Sequence, residues 1–443
     1  MKRIAVNTLG CKVNQYDTEA MLEQFERAGY VSVPFDGEAD VYLINTCTVT
    51  GVGDQKSMKL IRRVAREHPA ADIIVAGCLS QRGAIGAAGA TGATGAAGGA
   101  DVALPGVRLI LGNRRRAEAY ELYAKAVAEN SVVNAVGDLR EAPFERLRVD
   151  RHEGKTRAVM KIQEGCDRRC AYCVIPSVRG PARSMALEDV ASEARRLAEA
   201  GHLEIVLTGI HLSSYGREFG ATLVQAIEAV NAVEGVRRVR IGSLEPMIAA
   251  DEFVRALRRC EKLCPQFHLS LQSGSDAVLK RMNRGYSTAM YLEAVSRLRE
   301  GFPGCALTTD ILTGFPGETD GEAAETLAFV ERVGFSRIHV FPYSRRAGTA
   351  ADQMPNQVPQ EVKRKRAAKL TELGNKMALQ YAQNMVGTVQ AVLFEEAGTE
   401  GIEGYTSQYV RARVTNGARP GELLPVTIDG VDGEGTALGC IAE

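Results

Sequence analysis

At 443 residues the chain is too long for one hydrophobic core and implies two or three domains. Apolar residues make up 45% and charged residues 24%, an ordinary globular balance, and no run approaches 18 consecutive apolar residues, so no membrane span is expected. Basic and acidic residues balance at 54 each, yet unevenly: from Val386 onward three arginines face nine acids, leaving 51 basic against 45 acidic residues before it.

The opening Met1-Lys2-Arg3 runs into a short strand rather than the apolar stretch of a signal sequence. Leu9-Gly10-Cys11 likewise lacks the apolar lead of a lipoprotein site. Ten cysteines without an export signal point to metal sites rather than disulfides, in a cytoplasmic setting. Residues 3–7 read as a strand and 18–28 as an amphipathic helix stopped by Gly29. Residues 41–45, 73–76 and 109–111 are further strands, with helices at 55–67 and 115–128. Strand–helix alternation implies a doubly wound parallel sheet. Cys11, Cys47 and Cys78 each follow the C-terminal end of one of these strands, the sheet edge where ligands bind. Three distant thiols would thus converge on one cluster; three unrelated buried thiols are the bland alternative.

Residues 83–100 are anomalous: fifteen of eighteen are Gly or Ala, with Gly at every third position from Gly83 to Gly98. Proline is lacking and the triplets are few, which excludes collagen and leaves a flexible insertion.

Next comes Cys166-Asp167-Arg168-Arg169-Cys170-Ala171-Tyr172-Cys173, a C-x3-C-x2-C array. Three thiolates on one loop can hold three irons of a 4Fe-4S cluster and leave the fourth open to a small molecule. Zinc sites pair CxxC with a second CxxC or with histidines, and none follows. Around this loop a second alternating series runs, with strands at 157–163, 204–208, 236–243, 267–272, 306–312 and 337–342. Helices fall at 187–200, 223–233, 251–259, 288–300 and 321–333. Six such repeats form an open, partial barrel whose working face is at the C-terminal strand ends. A long, partly basic helix at 360–385 then leads to an all-β segment, with strands at 389–394, 405–414, 422–428 and 436–441.

Taken together, the chain resembles the radical S-adenosylmethionine (SAM) methylthiotransferases over nearly its whole length. The resemblance rests on the C-x3-C-x2-C loop and on Thr8-Leu9-Gly10-Cys11-Lys12-Val13-Asn14-Gln15, Asn45-Thr46-Cys47-Thr48-Val49-Thr50 and Gly77-Cys78. It rests also on Ile175-Pro176-Ser177-Val178-Arg179-Gly180, Ser243-Leu244-Glu245-Pro246, Leu271-Gln272-Ser273-Gly274-Ser275 and Gly314-Phe315-Pro316-Gly317-Glu318-Thr319. It implies an α/β chain in three parts: an N-terminal parallel-sheet cluster domain (1–135), a radical-SAM partial (β/α)6 barrel (150–382) and a small all-β TRAM domain (383–443). Lys12-Val13-Asn14-Gln15 is similar to the subgroup acting on N6-threonylcarbamoyladenosine at tRNA position 37. The alternatives are the same chemistry on N6-isopentenyladenosine, or on an aspartate of a ribosomal protein.

The reaction so implied replaces hydrogen on adenine carbon 2 with a methylthio group. That C–H bond has no acidity a side chain could exploit, so a radical is required. By the resemblance, two 4Fe-4S clusters are held by Cys166, Cys170 and Cys173 and by Cys11, Cys47 and Cys78; SAM serves as radical source and methyl donor. Tyr172, Thr208, Gly209, Ser243, Glu245, Gln272 and Ser273 are the candidate cofactor contacts, and no catalytic side chain beyond the cluster ligands is expected. The implied partners are tRNA, an electron donor such as flavodoxin or ferredoxin, and a sulfur source; no membrane is expected.

Several other residues are candidates on weaker grounds. Arg179, Arg183, the runs Arg62-Arg63, Arg114-Arg115-Arg116 and Lys363-Arg364-Lys365-Arg366, and Arg411, Arg413, Arg419, Tyr405 and Tyr409 could each meet RNA, by charge or by stacking. For Arg179 and Arg183 pairing with acids is the equal alternative. Cys260, Cys264, Cys305 and Cys440 are read as packing thiols, and His211 as a histidine hydrogen-bonded in place.

Overall fold

The computed structural model describes residues 1–83, 105–149 and 156–442, so all but the first residue of the Gly/Ala-rich segment lies outside it. Six strands open the chain: β1 (Arg3–Thr8), β2 (Val31–Val33), β3 (Val41–Thr46), β4 (Asp72–Gly77), β5 (Val107–Leu111) and β6 (Val133–Ala135). They form one parallel sheet in the order β2-β1-β3-β4-β5-β6. β3 is buried along its whole length, as the central strand of a sheet covered on both faces must be. One apolar layer joins Met21, Phe25, Leu43, Ile74 and Tyr123, the other Tyr42, Ile44, Ile61, Val64 and Ile73. The edge strands β2 and β6 are three residues each, too short to carry an alternating pattern in the sequence.

Helices α1 (Lys12–Arg27), α2 (Gly51–Glu67), α3 (Cys78–Gln81) and α4 (Ala119–Ala128) connect these strands. α1 begins six residues before the expected start at 18. Cys11 is its N-cap in extended geometry and accepts the Gln15 amide (3.1 Å), so the helix starts where the first cysteine stands.

β7 (Arg157–Lys161) is followed by a short antiparallel pair, β8 (Gln163–Glu164) with β9 (Arg183–Ser184), which closes the base of the cysteine loop around α5 (Ile175–Arg179). The rest of the central region comprises α6 (Leu187–Glu199), β10 (Glu204–Thr208), α7 (Leu223–Asn231), β11 (Arg238–Ile241), α8 (Asp251–Leu257), β12 (Gln266–His268), α9 (Asp276–Arg281), α10 (Thr288–Gly301), β13 (Ala306–Thr313), α11 (Asp320–Val333) and β14 (Arg337–Pro342). β7, β10 and β11 pair in parallel, as do β12, β13 and β14, and the parallel bridges Val239–Leu263 and Leu244–Leu269 join the two sets. The result is the open parallel arc expected. β11 and β12 are shorter than their apolar runs because the backbone beyond Ile241 and His268 makes only isolated bridges.

After α12 (Ala350–Gln353) and the long α13 (Gln360–Gln383), strands β15 (Val389–Gly398), β16 (Gly401–Thr406), β17 (Arg411–Val414), β18 (Leu423–Val431) and β19 (Ala437–Ile441) close a barrel in the order β15-β16-β17-β19-β18. The single strand expected at 405–414 is in fact two. Tyr409 takes φ +68°, and Thr406 accepts the Tyr409 amide on its carbonyl (3.0 Å) and the Val410 amide on its hydroxyl (3.1 Å), so the chain turns.

These elements assemble into two compact units: Met1–Val149 with Gln163–Met185 and Ser344–Asp352, and Asp150–Ile162 with Ala186–Tyr343 and Gln353–Glu443. All six cysteines of the two trios fall in the first unit.

In the second unit, the 406–410 turn of the small barrel is fastened to the N-terminal ends of β7, β10 and β11. Tyr405 and Tyr409 stack at 4.7 Å, and the Arg157 guanidinium lies about equally far from both rings, 5.1 and 5.0 Å. Arg240 sits 4.7 Å from the Tyr409 ring and donates to the Ser407 carbonyl (2.9 Å), while Arg238 donates to the Thr406 carbonyl (2.9 Å). Both arginines bond the buried Glu204 carboxylate, at 2.8 Å from Arg238 and 2.7 Å from Arg240. The two tyrosines are therefore engaged within the protein, not offered to RNA bases. Arg411 and Arg413 are also paired, with Glu403 and, for Arg413, with Glu400 and Asp432, which leaves Arg419 as the arginine of that set whose guanidinium has no acidic partner among the described residues.

Burial works against ionisation of Glu204, but Arg240 and Arg238 prevail and hold its carboxyl below the usual range. The stability it contributes is therefore present above its unfolded value, about 4.3, and lost as pH falls below it. Replacing Glu204 with Gln would strand two buried guanidinium groups and lower stability by about 3–5 kcal/mol, measured by urea denaturation at pH 7.

Candidate metal centre and its surroundings

β1, β3 and β4 are adjacent and parallel, so their C-terminal ends share one edge. Cys47 and Cys78 are the first residues beyond β3 and β4, and Cys11 stands three beyond β1. The backbone there tolerates only glycine at two positions. Gly10 has φ +113°, and a Cβ on it would stand 2.9 Å from the Cys47 Cβ and 3.1 Å from its Sγ. Gly77, at φ +96°, has the Asn45 Oδ1 2.3 Å from where a Cβ would be. Both glycines let cysteine-bearing backbone approach more closely than a side chain would allow.

The three thiols sense one another. Burial, then repulsion from Cys78 and Cys11, pushes the Cys47 thiol up to about 11. Cys11 keeps contact with solvent, yet the protein packed around it raises its thiol too, against the opposing pull of Arg179 and of the amides of Val13 and Asn14 at the start of α1. Asn113 donates to the Cys78 Sγ (3.5 Å) and to the Val178 carbonyl (2.7 Å).

Among the described residues no group of three His, Cys, Asp or Glu is placed to hold a single metal ion. In a 4Fe-4S cluster each thiolate binds a different iron, so the sulfurs stand farther apart than the ligands of one ion. Three convergent thiols at a shared strand edge, with a buried guanidinium close by, suit that donor geometry.

The second trio lies on the loop between β8 and β9. Gly165 has φ +72°, and a Cβ there would fall 1.8 Å from the Pro181 carbonyl oxygen. The Arg168 amide points at the Cys166 Sγ and the Ile175 amide at the Cys173 Sγ, both at 3.4 Å. Amides aimed at sulfur favour the thiolate form, as a cluster ligand requires. Tyr172 is half-buried on this loop.

Between the two trios lies a set of buried charges that the sequence did not disclose. Arg116 donates to Asp17 (2.5 Å), Glu164 (2.8 Å) and Glu145 (2.8 Å). Arg179 donates to Glu164 (2.6 Å), to Asp17 (3.1 Å) and to the Asn14 side-chain carbonyl. Arg116, Arg179, Asp17, Glu164 and Asn14 are all at most 1% exposed. Burial opposes the charge on Arg179, but Cys78, Glu164, Asp17 and Cys11 around it hold its ionisation well above the ordinary arginine value. Arg183, also buried, donates to the Arg179 carbonyl (2.8 Å). The RNA-phosphate alternative for Arg179 and Arg183 is thereby excluded, and so is exposure of Arg116. Sequence could have flagged Glu164 only by its place two residues before Cys166.

In the second unit, Glu245 is buried and meets His211 Nε2 at 3.4 Å and Arg284 at 3.3 Å, while its amide bonds Ser213 (2.9 Å). Thr208 ends β10 and its carbonyl accepts the Ile162 amide (3.0 Å); Gly209 follows it, half-buried. Ser243 is exposed beyond β11. Gln272 takes φ +68° between bonds to Asp310 and Leu312, and the Ser273 hydroxyl is engaged by Thr326 (3.1 Å) and the Ser275 amide (3.2 Å). Within 363–366, Lys363 is buried against Tyr343 and Arg366 pairs with Glu318 and Asp320, so that run is only partly available to solvent. Cys260, Cys264 and Cys305 are buried as read; Cys440 is exposed on β19, a correction to its reading as a packing thiol.

A family model for the Radical SAM superfamily matches residues 160–330, and one for the uncharacterized protein family UPF0004 matches residues 3–89. The chain is 40% identical to the threonylcarbamoyladenosine tRNA methylthiotransferase MtaB of Bacillus subtilis, over 93% of this chain and 90% of that protein. It is 36% identical to the protein of the same name from Thermotoga maritima, over 100% and 98%. Against the tRNA-2-methylthio-N(6)-dimethylallyladenosine synthase of Acetivibrio thermocellus the identity is 32%, over 94% and 85%. Among solved structures, the radical SAM methyltransferase TsrM of Kitasatospora setae matches with a TM-score of 0.52 at 14% identity, covering 80% of this chain and 77% of that one, a likeness of fold.

Two outcomes test the local electrostatics. In cluster-free protein, alkylation of Cys47 is slow at pH 7 and accelerates about tenfold per pH unit until it levels near about 11, as followed by mass spectrometry of labelled peptides. Glu164→Gln lowers the unfolding free energy of the same protein by about 3–5 kcal/mol, since it removes the charge of one of the two carboxylates, with Asp17, that both buried arginines share.

Proposed function

The chain belongs to the radical-SAM methylthiotransferase family, and we propose that it adds a methylthio group to carbon 2 of N6-threonylcarbamoyladenosine at position 37 of tRNA. The observation that carries the substrate is the identity to two proteins named for that nucleoside, at 40% and 36% over nearly full length. Isopentenyladenosine is the second reading, favoured only by the 32% relative named for the dimethylallyl base.

In this reading Cys166, Cys170 and Cys173 hold one 4Fe-4S cluster, and Cys11, Cys47 and Cys78 a second. When bound, these groups together with SAM supply the hydrogen abstraction, the sulfur and the methyl group that no side chain can provide. The chain's own residues position and insulate. Gly10, Gly77 and Gly165 let the cysteine-bearing backbone close in. Backbone amides and Asn113 donate toward sulfur. Arg179 places fixed positive charge where the thiolates of Cys11 and Cys78 carry negative charge, in an interior that weakens neither. Tyr172, Thr208, Gly209, Ser243, Glu245, Gln272 and Ser273 are proposed as SAM or substrate contacts. Of these Glu245 has the clearest physical case: a buried carboxylate held by His211 and Arg284 suits an ammonium group. A three-part division at 1–135, 150–382 and 383–443, a TRAM role for the small barrel, an external electron donor, a sulfur source and a cytoplasmic setting complete the proposal.

Anaerobic reconstitution should give about eight irons per chain, falling by about half in Cys170→Ala and, separately, in Cys47→Ala. Mass analysis of tRNA from a strain lacking the gene should show loss of the methylthio group on the threonylcarbamoyl nucleoside. Its persistence there, with loss from the isopentenyl nucleoside, would transfer the assignment to the second reading.

A further inference from the structure

The inner face of β12–β14 carries polar side chains that nothing above employs. Along β13, Leu307 and Ile311 are buried on one face, so Thr308 and Asp310 alternate onto the other. Strand register sets His268 and Arg337 beside Thr308, and His339 beside Asp310. His268 bonds the Thr308 hydroxyl through Nδ1 (3.0 Å) and approaches Asp310 through Nε2 (3.4 Å). The rings of His268 and His339 lie 6.4 Å apart.

β14 is the outer strand of its set. Ile338 on one of its faces packs against Gly374 of α13, where a Cβ would come within 2.5 Å of the Ile338 side chain. Arg337, His339 and Phe341 therefore point the other way, and all three are exposed, Phe341 by 46%. Arg337 has no carboxylate partner among the described residues, in a protein where Arg116, Arg157, Arg179, Arg238, Arg240, Arg366, Arg411 and Arg413 all have one. Desolvation on the covered side of its ring, with Arg337 and His268 nearby, lowers the His339 imidazole below its ordinary value despite Asp310. At neutral pH the lowered imidazole is then an uncharged hydrogen-bonding group beside the fixed charge of Arg337.

We propose that this face is the subsite for the substituent on the adenine, with Arg337 and His339 binding a carboxylate and Asp310, steadied by His268, accepting from its N–H or hydroxyl groups. The inference rests on the substrate reading above and deepens it. A threonylcarbamoyl group offers one carboxylate, one hydroxyl and one N–H beyond that of adenine N6; an isopentenyl group offers none of these and would leave Arg337 and Asp310 unsatisfied on binding. Phe341, next along the same face, is placed to cover an apolar portion such as the base or the threonine methyl.

The test compares the full-length reconstituted enzyme on one tRNA carrying threonylcarbamoyladenosine, isopentenyladenosine or plain adenosine at position 37. The wild type should favour the first in both kcat/KM and tRNA Kd. Arg337→Gln should reduce kcat/KM for that tRNA by about 10- to 100-fold and bring its Kd toward that for plain adenosine, while Arg337→Lys restores most of the preference. His339→Leu should act in the same direction more weakly, and an unchanged thermal midpoint in each variant confirms the fold. If the wild type prefers threonylcarbamoyladenosine and Arg337→Gln keeps that preference undiminished, the subsite is wrong and the substrate stands. If the wild type acts on isopentenyladenosine alone, both the substrate reading and the subsite fall.

Discussion

Two arginines and two acids, closed to solvent, decide how the cysteine-bearing segments are held. Asp17 comes from α1, Arg116 from just before α4, Glu164 from β8 and Arg179 from the end of α5. None of the four could be buried alone, because an isolated charge in a protein interior is too costly to keep. Each is satisfied only when the segments meet, so the lattice acts as a register: misplace one segment and two charges lose their partners. Along the chain, the segment that carries the 166–173 loop is flanked on both sides by segments of the second unit. It is the ionic contacts, with the Val178–Asn113 bond, that fix it in the first.

The second unit repeats the device with different parts. Glu204, Arg238 and Arg240 begin two neighbouring strands, and Arg157 begins a third, so like charges would crowd that end of the sheet if the small barrel did not close over it. Carbonyls of the 405–407 backbone and the faces of Tyr405 and Tyr409 supply what the single carboxylate of Glu204 cannot. Cation–π contact here adds to hydrogen bonding that already exists, which is the setting in which it is most favourable. One barrel acid, Glu395, pairs with Arg157 of this cluster, so that part of the uneven charge along the chain is neutralised inside the molecule.

Alternation of apolar runs with helical patterns located nearly every long element, and the strand-end position of Cys11, Cys47 and Cys78 followed from topology alone. What escaped was of two kinds. Three-residue edge strands such as β2 and β6 make too few contacts to impose a pattern. Buried charge is the other: Arg116 within Arg114-Arg115-Arg116, and Arg179 at the end of α5, look in sequence like the solvated arginines that most such residues are. Their burial depends on side-chain partners 15 to 165 positions away, from Arg179–Glu164 to Arg179–Asn14. Tyr405 and Tyr409 failed for the same reason, since an aromatic pair on a hairpin reads alike whether it awaits a base or grips an arginine.

That distinction bears on where to look for function in a chain so rich in arginine. A guanidinium with its acids already in place is finished business; its removal tests the fold. One that projects from an outer strand without an acid, beside histidines and a carboxylate that are themselves oriented, has its electrostatic complement still to come. Arg337 meets that description through register and exposure rather than through any motif. The same criterion passes over Arg364, exposed on a helix and without an acidic partner among the described residues, because an unpaired cation on an open helix face is already well served by water. Convergence of oriented donors and acceptors, not positive charge alone, is what separates a binding surface from a solvated one.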